Sequence, residues 1–581
     1  MQIYNTMTRQ KEELKPITPG TVKIYACGPT VYNLIHIGNA RALCVFDTLR
    51  RYLEFRGYKV FYVQNFTDVD DKIIKKANEL GKTAHEVSEN AIREYFTDAD
   101  GLNVRRADVH PKVTENMDII IDIVKTLIEK GFAYEADGDV YFETSKFPEY
   151  GKLSHMPLED LQAGARIEVG EKKRDPMDFA VWKAAKPGEP YWDSPFGKGR
   201  PGWHIECSAM SRHYIGDTID IHGGGADLIF PHHENEIAQS ECATGQPLAN
   251  IWMHNGMLNV DGAKMSKSKG NFFMVRDLSK EYGYEPIRFM LLSVHYRSQL
   301  NYTLDVIESC KAALQRLYTC RDTLNRAIEA APEGEASAQA LADVKEAQEQ
   351  FIRVMDDDFN TADGISTIFE LVRKINTAVS AGNATKGTLK AYNDEFTALT
   401  NVLGLLYNNN DEEIIMNESK YEHIVHPFPP LYNSESRILI LGSLPSVKSR
   451  EQMFFYGHPQ NRFWKMISGV FEEAVPQTIE EKKAFMLKHN IAMWDTIYSC
   501  DIIGSSDSSI KNVVPTDLKS IIDNSKIEKV ICNGKTSGKY YEKYQMKYLG
   551  IKPDILPSTS PANAAYSLGK LVEIWKKSII Y

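Results

Sequence analysis

The sequence predicts an α/β fold in three parts: a parallel-sheet core with an insertion, a helical bundle, and a smaller three-layer α/β/α domain. Three observations predict it. A short β-rich run at residues 22–26 ends in a Cys-Gly-Pro turn, and a helical pattern follows. Apolar residues recur at helical spacing within residues 297–406. New buried-strand runs begin after a polar, aperiodic stretch at residues 408–413.

The first part is expected to place two polar turns at one edge of its sheet. The run at residues 22–26 ends at Cys27, and a second strand at residues 59–64 is followed by the polar segment 65–71. A helix is expected to start at Lys72. Because ligands bind at the carboxyl ends of parallel strands, we expect the two turns to share a site.

An insertion is expected to interrupt this sheet. Residues 113–130 have a helical pattern, residues 132–143 have a hairpin pattern, and a segment rich in Gly, Pro and Lys follows. The strand pattern resumes at residues 219–222 and continues into three glycines. We expect the following domains: a Rossmann-like catalytic domain at 1–310 with its insertion at about 110–202, a helical bundle at 311–407, a linker at 408–420, and a final domain at 421–581.

Composition limits the class of protein. The chain has 581 residues, enough for two to four domains, and a formal net charge of −10, which does not indicate a nucleic-acid binder as a whole. Residues 421–581 nevertheless carry 20 Lys and Arg against 16 Asp and Glu. The eight scattered cysteines favour free thiols or metal ligands over a disulfide framework. Without an apolar run of about 18 residues or a signal-peptide core, we expect a cytoplasmic protein and no membrane partner.

Two short motifs, far apart in the chain, indicate a nucleotide site. His36-Ile37-Gly38-Asn39 opens the first long helix, and helix N-termini favour phosphate. Lys264-Met265-Ser266-Lys267-Ser268 places lysines on a short loop where they could hold a triphosphate. Either motif alone is compatible with an ordinary turn. Together they resemble the HIGH and KMSKS signatures of class I aminoacyl-tRNA synthetases.

A metal site is indicated by two cysteines, a histidine and a carboxylate. Cys27 follows the first strand, Cys207 lies in Gly202-Trp203-His204-Ile205-Glu206-Cys207, and His232 and Glu236 are four residues apart. That spacing puts both side chains on one helix face, so the four groups could converge on zinc. The structural alternative is that the cysteines are core residues and the His-rich run is a polar helix start.

These segments, with residues 65–72 and 222–236, resemble cysteinyl-tRNA synthetases from Ile3 to about Leu406. The resemblance implies ATP-dependent attachment of L-cysteine to tRNA(Cys) through cysteinyl-adenylate, with Mg²⁺ accompanying ATP. It also implies one zinc ion that takes the substrate thiolate. The implied roles are zinc binding by Cys27, Cys207, His232 and Glu236; nucleotide binding by His36, Asn39, Gly224 and Asp227; pyrophosphate binding by Lys264 and Lys267; and substrate binding by Thr30 and Trp203.

Zinc would explain how such a site selects its amino acid. Cysteine and serine differ by one atom, and a plain pocket separates such near-isosteres by only about 10- to 200-fold. Zinc prefers a thiolate to a hydroxyl, so coordination can set the selectivity without an editing site. Asn39 stands where the signature usually has histidine, and Trp203 is also compatible with plain packing.

The resemblance ends after Leu406, where cysteinyl-tRNA synthetases normally continue with a charged helical module that recognises the anticodon. That module is not in the sequence that follows. Contacts to the acceptor stem could suffice for tRNA charging. Alternatively, cysteinyl-adenylate is passed to an acceptor other than tRNA.

The last domain carries a second set of motifs. Gly442-Ser443-Leu444-Pro445-Ser446 ends a strand, residues 455–464 form an aromatic segment around Asn461, and residues 556–563 form a second Ser/Pro loop. Small loops against phosphates and a stacking platform suit an enzyme that extrudes a base from DNA, although a generic α/β domain is the alternative.

These segments resemble the uracil-DNA glycosylase superfamily over residues 424–576, and most closely its hypoxanthine-DNA glycosylase branch. Ser443 stands where other branches have a catalytic Asn or Asp, so the resemblance implies Asn461 as the catalytic residue, orienting water, and Phe455 and Tyr456 as base-stacking residues. No metal is implied in this domain. The implied DNA contacts are Gly442, Ser443, Tyr456, Ser558 and Asn563. A remaining alternative is that only one half of the chain is active.

Overall fold

The computed structural model describes residues 1–155, 172–260, 262–264, 273–407, 422–502, 510–560, 563 and 566–580. The chain divides into two compact units, Met1–Asn408 and Asn409–Tyr581. No helix in these described ranges combines the length and apolar character that crossing a membrane requires. The mixed α/β fold expected from the sequence is confirmed, with a parallel sheet in each unit.

The first unit has thirteen strands within its described ranges. They are β1 (Gln2–Asn5), β2 (Gln10–Glu13), β3 (Thr21–Ala26), β4 (Lys59–Gln64), β5 (Ala133–Ala136), β6 (Asp139–Phe142), β7 (Phe179–Ala184), β8 (Gly199–Pro201), β9 (Ile219–Gly225), β10 (Ala249–Asn255), β11 (Leu258–Val260), β12 (Ala263–Lys264) and β13 (Leu300–Tyr302). Its α-helices are α1 (Ile37–Phe55), α2 (Asp71–Leu80), α3 (Ala84–Gly101), α4 (Met117–Glu129), α5 (Trp203–Tyr214), α6 (Glu234–Thr244), α7 (Val275–Tyr282), α8 (Tyr284–Leu292), α9 (Leu304–Ala330), α10 (Ala338–Asp356), α11 (Thr361–Ser380) and α12 (Lys386–Val402).

The core sheet of this unit has the strand order β10-β9-β3-β4, and every pair in it is parallel. Its strands are mostly buried along their lengths, as expected for a parallel sheet with covered faces. The antiparallel sheet β5-β6-β7-β8 and helix α4 fall between β4 and β9 in the chain. The insertion therefore separates the two halves of the core sheet.

Four helices, α9 to α12, pack on one another to form the helical bundle. Each begins at a residue whose side chain accepts a hydrogen bond from a backbone N–H of the first turn. The four capping residues are Thr303, Ser337, Asn360 and Thr385. Their buried residues recur three or four positions apart, so one stripe of each helix faces the bundle core.

The second unit has its own core. Its strands are β14 (Glu422–Val425), β15 (Ile438–Gly442), β16 (Ile491–Asp495), β17 (Ile497–Ile502), β18 (Lys511–Pro515), β19 (Lys529–Asn533) and β20 (Asp554–Leu556). Its α-helices are α13 (Val447–Gln452), α14 (Phe463–Phe471), α15 (Ile479–Lys488), α16 (Leu518–Asp523), α17 (Lys535–Tyr544), α18 (Met546–Leu549) and α19 (Leu568–Ile579).

The parallel sheet of this unit has the order β16-β15-β19-β20, and a separate antiparallel sheet has the order β14-β17-β18. Helices α14 and α19 pack together, whereas α17 packs on β19 and β20. The loops that follow β15, β16, β19 and β20 all leave the same edge of the parallel sheet. This edge is where a ligand site is expected in such a fold.

Candidate functional site

The first unit has a cavity of about 410 Å³ at the carboxyl ends of β3, β9 and β10, next to the start of α1. Its size suits a small ligand. Predicted site residues that line it are Cys27, Thr30, His36, Asn39, Trp203 and Asp227. Gly224 is not among its lining residues, although the next residue, Gly225, is.

The start of α1 is a capping box formed by two of the predicted residues. His36 is the N-cap, and its Nδ1 accepts hydrogen bonds from the amides of Gly38 at 3.1 Å and Asn39 at 3.2 Å. In return, Oδ1 of Asn39 accepts from the His36 amide at 3.2 Å. Asparagine therefore fixes the helix start with its short side chain, at the position where the family signature usually has histidine.

A cluster of thiols, imidazoles and a carboxylate lies at one end of this cavity. The Sγ atoms of Cys27 and Cys207 are 3.7 Å apart, and Cys27 Sγ lies 3.4 Å from Glu236 Oε1. His232 Nε2 lies 2.9 Å from the same oxygen. The four groups that the sequence suggested as zinc ligands are therefore brought together, with all ligand atoms within 4.8 Å of one another.

The separations that involve Cys27 fit a tetrahedral metal site, whereas the 2.9 Å between His232 Nε2 and Glu236 Oε1 is a hydrogen-bond distance. Zn–S bonds of about 2.3 Å at the tetrahedral angle place two thiolates about 3.8 Å apart, close to the observed separation of the two Sγ atoms. With a Zn–O bond of about 2.1 Å, a thiolate and a carboxylate oxygen lie about 3.6 Å apart. Two thiolates, one imidazole and one carboxylate form a donor set that zinc accepts.

A second donor set shares Cys27 and Glu236 and uses His222 and His233 instead. His233 Nε2 lies 3.3 Å from Cys27 Sγ, but His222 Nε2 contacts the other oxygen of Glu236, Oε2, at 2.7 Å. Because His222 holds Oε2, it leaves Oε1 in contact with Cys27 and His232. This arrangement, together with the second thiol at Cys207, favours the set that contains both cysteines.

Two further histidines contact the histidines of the two donor sets. His204 Nδ1 lies 2.9 Å from His232 Nδ1, and His233 Nδ1 lies 2.8 Å from His254 Nε2. The ring of Trp203 packs against that of His232 with centroids 4.3 Å apart and the planes tilted by 31°, although Trp203 remains 40% exposed. Such outer contacts fix the orientation of a ligating imidazole. No motif in the sequence indicates a role for His204 or His254, because neither has a diagnostic spacing to the ligands.

Burial and charge set the protonation of the cluster. The hydrogen bond that the Cys27 thiol donates lowers the pKa of Cys207 to about 6, and burial raises the pKa of Cys27 well above its usual value. Burial disfavours a charged imidazole, but the nearby Glu236 carboxylate outweighs it and raises the pKa of His232 to about 10. Burial likewise opposes charge on Glu236, but His222 and His232 hold its pKa well below the usual range. At neutral pH Cys207 and Glu236 therefore carry negative charge, whereas Cys27 and His232 hold protons that a bound metal ion would displace.

The segment after β3 packs against the turn after β4. A Cβ on Gly28 would lie 1.6 Å from the backbone oxygen of Asn65, so only glycine fits there. The Gly28 amide donates to Asn65 Oδ1 at 2.8 Å, whereas Asn65 Nδ2 is buried without a hydrogen-bond partner among the described residues. The Asn65 side chain lies beside the cysteine cluster, since its Oδ1 is 3.8 Å from Cys207 Sγ.

The lysine motif is only partly described. Lys264 ends strand β12, which pairs with β11. Residues 265–272, including Lys267, lie outside the described residues. Asp227 lies in the 3₁₀ turn Ala226–Leu228 directly after β9, at the cavity wall.

The second unit has its own cavity of about 400 Å³ at the carboxyl edge of its parallel sheet. Predicted residues that line it are Gly442, Ser443, Phe455, Tyr456, Asn461 and Ser558. The Asn461 side chain accepts a hydrogen bond from the Phe463 amide at 3.0 Å, which fixes it at the start of α14. The Tyr456 ring stacks on Phe463 with centroids 4.0 Å apart, so this aromatic platform is already assembled.

Asn563 is not among the lining residues of the second cavity and instead holds its own loop together. Its Nδ2 donates to the Ser558 oxygen at 2.8 Å. The Arg462 guanidinium donates to the backbone oxygens of Ser560 and Asn563, at 2.9 and 2.7 Å. Arg462 therefore ties the second Ser/Pro loop to the start of α14.

Three further residues of this cavity were missed by the sequence analysis. Asp495 and Asn533 end strands β16 and β19 and line the cavity, and His426 contacts Asp495 from behind at 2.8 Å. Asn533 is held by Thr559, which donates its amide to Oδ1 and accepts from Nδ2. The signal available in the sequence was the position of both residues at the ends of buried strands.

Comparison with known proteins places each unit in a family. Residues 13–312 match the family described as tRNA synthetases class I (C) catalytic domain, residues 350–407 match the DALR domain, and residues 429–578 match the uracil DNA glycosylase superfamily.

Similar proteins are known for the first unit. The cysteine–tRNA ligase of Anoxybacillus flavithermus is 56% identical over 418 residues, covering 71% of this chain and 90% of that protein. The corresponding ligase of Clostridioides difficile is 55% identical over 415 residues, covering 71% and 89%. Mycobacterium tuberculosis methionyl-tRNA synthetase in complex with methionyl-adenylate is similar in fold, with 14% identity, a TM-score of 0.51, and coverage of 68% of this chain and 93% of that one.

Proposed function

The chain belongs to the cysteine–tRNA ligase family of class I tRNA synthetases, and from this we propose that its first unit attaches cysteine to tRNA(Cys) through cysteinyl-adenylate. One observation carries the proposal. Cys27, one of the four residues of the metal cluster, and His36, at the N-terminus of α1, both line the same cavity. A group that selects the amino acid thus lies within reach of a site suited to phosphate.

Zinc held by Cys27, Cys207, His232 and Glu236 would bind the substrate thiol as a thiolate and so favour cysteine over serine. The protein side of this site is preorganised. His222 contacts Oε2 of Glu236, which leaves Oε1 in contact with Cys27 and His232. Trp203 packs against His232 with the ring planes tilted by 31°, and it lines the cavity at the amino-acid end.

Adenylate formation requires that the cysteine carboxylate attack the α-phosphorus of ATP, with pyrophosphate as the leaving group. Little proton transfer is needed, so positioning and charge stabilisation carry the step. In this proposal the start of α1 at His36 and Asn39 holds the phosphates, and Asp227 with Gly224 contacts the adenosine. Thr30 contacts the substrate. Lys264 and Lys267 steady the leaving pyrophosphate, and Mg²⁺ accompanies ATP.

The similarity to known ligases favours tRNA as the acceptor over another carrier. Identity of 55–56% extends over more than 400 residues and covers nearly nine-tenths or more of each relative. A match to the DALR domain continues this similarity into the helical bundle at residues 350–407. We therefore propose that acceptor-stem contacts compensate for the module missing after Leu406.

Cysteine-dependent exchange of pyrophosphate into ATP tests the activation step. Zinc-loaded full-length protein should catalyse exchange with cysteine, and the rate with serine should be far lower. Addition of a zinc chelator, followed by removal of excess chelator, should abolish exchange, and added zinc should restore it. Equal exchange with serine and cysteine would contradict the proposed role of the cluster.

We further propose that the second unit is a DNA glycosylase that removes hypoxanthine, the deamination product of adenine. The family match over residues 429–578 supports base excision from DNA. The cavity at the sheet edge combines an aromatic platform at Tyr456 with the amide of Asn461. In this proposal Asn461 orients the water that attacks the oxocarbenium-like sugar, while Gly442, Ser443, Ser558 and Asn563 lie along the opened strand.

Alkali-induced scission of a duplex that contains one deoxyinosine tests this activity. The full-length chain should release the base, and Asn461→Ala should lose that activity while cysteine charging is unchanged. Absence of scission on both deoxyinosine and deoxyuridine duplexes would contradict the glycosylase proposal.

A further inference from the structure

The positive charge of the second unit is concentrated in one short segment. Residues 421–581 carry 20 Lys and Arg against 16 Asp and Glu. Residues 535–552 contain five of these lysines and only one carboxylate, Glu542, whereas the rest of residues 421–581 carry 15 charges of each sign. The whole positive excess therefore belongs to a segment to which neither proposed reaction assigns a role.

Three of these lysines lie on one face of α17, and a fourth follows in α18. They are four residues apart and all are exposed; together they form the lysine stripe, Lys535, Lys539, Lys543 and Lys547. Residues four apart in an α-helix are neighbours on one face, about 6 Å apart along the axis. The buried residues Ser537 and Tyr541 lie on the opposite side of α17. The stripe therefore faces away from the core of the unit.

No ion pair within the described residues holds any of the four ammonium groups. Two of them contact the ring of the next residue instead: Lys539 Nζ lies 5.7 Å from the ring centroid of Tyr540, and Lys543 Nζ lies 4.7 Å from that of Tyr544. Like charges four residues apart destabilise a helix, and Lys535 is the first residue of α17, where the helix dipole disfavours a cation. An arrangement that is unfavourable for the helix itself is typical of a surface that binds a polyanion.

The lysine stripe leads away from the second cavity. β19 ends at Asn533, which lines the cavity, and α17 begins two residues later. Because β19 and β20 are parallel, α17 and α18 must carry the chain back towards the opposite edge of the sheet. Lys543 lies about 12 Å further along the helix than Lys535. A DNA strand whose extruded base enters the cavity lies at the carboxyl edge, so the far end of the stripe is left for another polyanion.

The proposed function of the first unit requires such a partner. Charging needs tRNA, and the charged helical module expected after Leu406 is missing from the sequence. The second unit occupies that place in the chain. Its uncompensated positive charge complements the phosphate backbone of RNA.

We propose that the lysine stripe binds the phosphate backbone of tRNA and supplies part of the affinity that the missing module would give. The inference rests on the proposed tRNA-charging function. Phosphate contacts carry no sequence information, so acceptor-stem contacts still select tRNA(Cys), and the stripe strengthens the binding of any tRNA. Tyr548, which follows Lys547 and is 81% exposed, offers a ring on which an unpaired base can stack.

Removing two charges from the far end of the stripe tests this inference in the full-length, zinc-loaded chain. Lys543→Gln combined with Lys547→Gln should raise the KM for tRNA(Cys) roughly 10- to 30-fold at about 0.15 M salt and leave kcat unchanged. Each lost phosphate contact forfeits counterion release that favours binding by about 4- to 5-fold at that salt concentration. Pyrophosphate exchange should be unchanged because it does not involve tRNA, and deoxyinosine excision should be unchanged because both lysines lie away from the cavity.

The matched control removes two charges from the same unit outside the stripe. Lys519→Gln combined with Lys526→Gln changes two exposed lysines that form surface ion pairs, and it should leave the KM for tRNA(Cys) unchanged. Both double variants alter the net charge of the chain equally. A difference between them therefore reports the position of the charges.

Filter binding of tRNA at several salt concentrations gives a second readout that does not depend on charging. In the stripe variant, the plot of log affinity against log salt concentration should be shallower by about 1.4 to 1.8. Affinity for a tRNA of another specificity should fall by the same factor as affinity for tRNA(Cys), because phosphates carry no sequence information.

Unchanged tRNA affinity in the stripe variant, or an equal loss in the control variant, would overturn the inference. Loss of deoxyinosine excision with unchanged tRNA affinity would also overturn it and would assign the stripe to DNA. If the unaltered chain binds tRNA through the stripe but does not charge it, the proposed ligase function fails and the inference stands.

Discussion

Replacing Cys207 by serine tests the metal cluster at its best-defined contact. The two Sγ atoms lie 3.7 Å apart, against about 3.8 Å for two thiolates on one tetrahedral zinc ion. Serine is nearly isosteric but its hydroxyl stays protonated at neutral pH, so the variant removes one of two thiolates without opening a large cavity. Losing a residue that hydrogen-bonds to a zinc ligand typically lowers zinc affinity about 10- to 100-fold. Losing a ligand itself should lower the zinc affinity by more than that.

The assay measures zinc by mass spectrometry after dialysis, together with cysteine-dependent pyrophosphate exchange. We expect Cys207→Ser to lose zinc and exchange together, and to melt at the temperature of the unaltered chain stripped of zinc. Cys242→Ser is the matched control, because Cys242 is also buried on a helix of the first unit but lies outside the cluster. The Cys242→Ser protein should keep both bound zinc and pyrophosphate exchange. Stoichiometric zinc in Cys207→Ser would refute the ligand assignment and favour the set that contains His222 and His233.

Three further predictions concern stability and loop order. Burial raises the pKa of Glu395 in the helical bundle to about 7, so the folded state binds its proton more tightly than the unfolded state and loses stability as pH rises from about 4.5 to 7. Glu395→Gln should therefore stabilise the first unit by about 1 to 2 kcal/mol at pH 8, and by nearly nothing at pH 4. The gain at pH 8 is smaller than the free energy that corresponds to the whole pKa shift, because the side chain is only half-buried. Urea titrations at both pH values check this. Asp47→Asn should destabilise the same unit by about 3 to 5 kcal/mol in urea titration, because it leaves the fully buried Arg288, 2.6 Å away, without its ion-pair partner. A loss of stability below about 1 kcal/mol would contradict the importance of this ion pair. Arg462→Met should lower base excision and the melting temperature of the second unit while cysteine charging stays unchanged, since Arg462 holds the second loop by its backbone oxygens.

Much of the fold followed from local patterns. The helix that begins at Ile37 and the strands at Thr21–Ala26 and Lys59–Gln64 lie where apolar runs and turn residues predicted them. The resemblances to cysteinyl-tRNA synthetases and to the uracil-DNA glycosylase superfamily are confirmed by the family matches. Boundaries were less accurate: the helix predicted at residues 113–130 consists of a 3₁₀ turn and the separate helix Met117–Glu129.

The contacts that orient the sites were not predictable in the same way. His254 reaches the cluster from β10, and no spacing in the sequence links it to His233. His426 and Asp495 are 69 residues apart and meet only because β16 ends beside the segment that follows β14. Such pairs depend on the order of strands in a sheet, which periodicity does not determine. Motifs identify the ligands, and the tertiary fold decides which side chains orient them.

Attachment of cysteine to tRNA(Cys) by the full-length, zinc-loaded chain tests the central claim most directly. Using radiolabelled cysteine and excess ATP, we expect charging to approach one cysteine per tRNA and to show no detectable serine product. Pyrophosphate exchange measured in the same preparation reports whether the adenylate forms. Exchange without charging would contradict the claim that this unit is a tRNA ligase and would direct the adenylate to another acceptor.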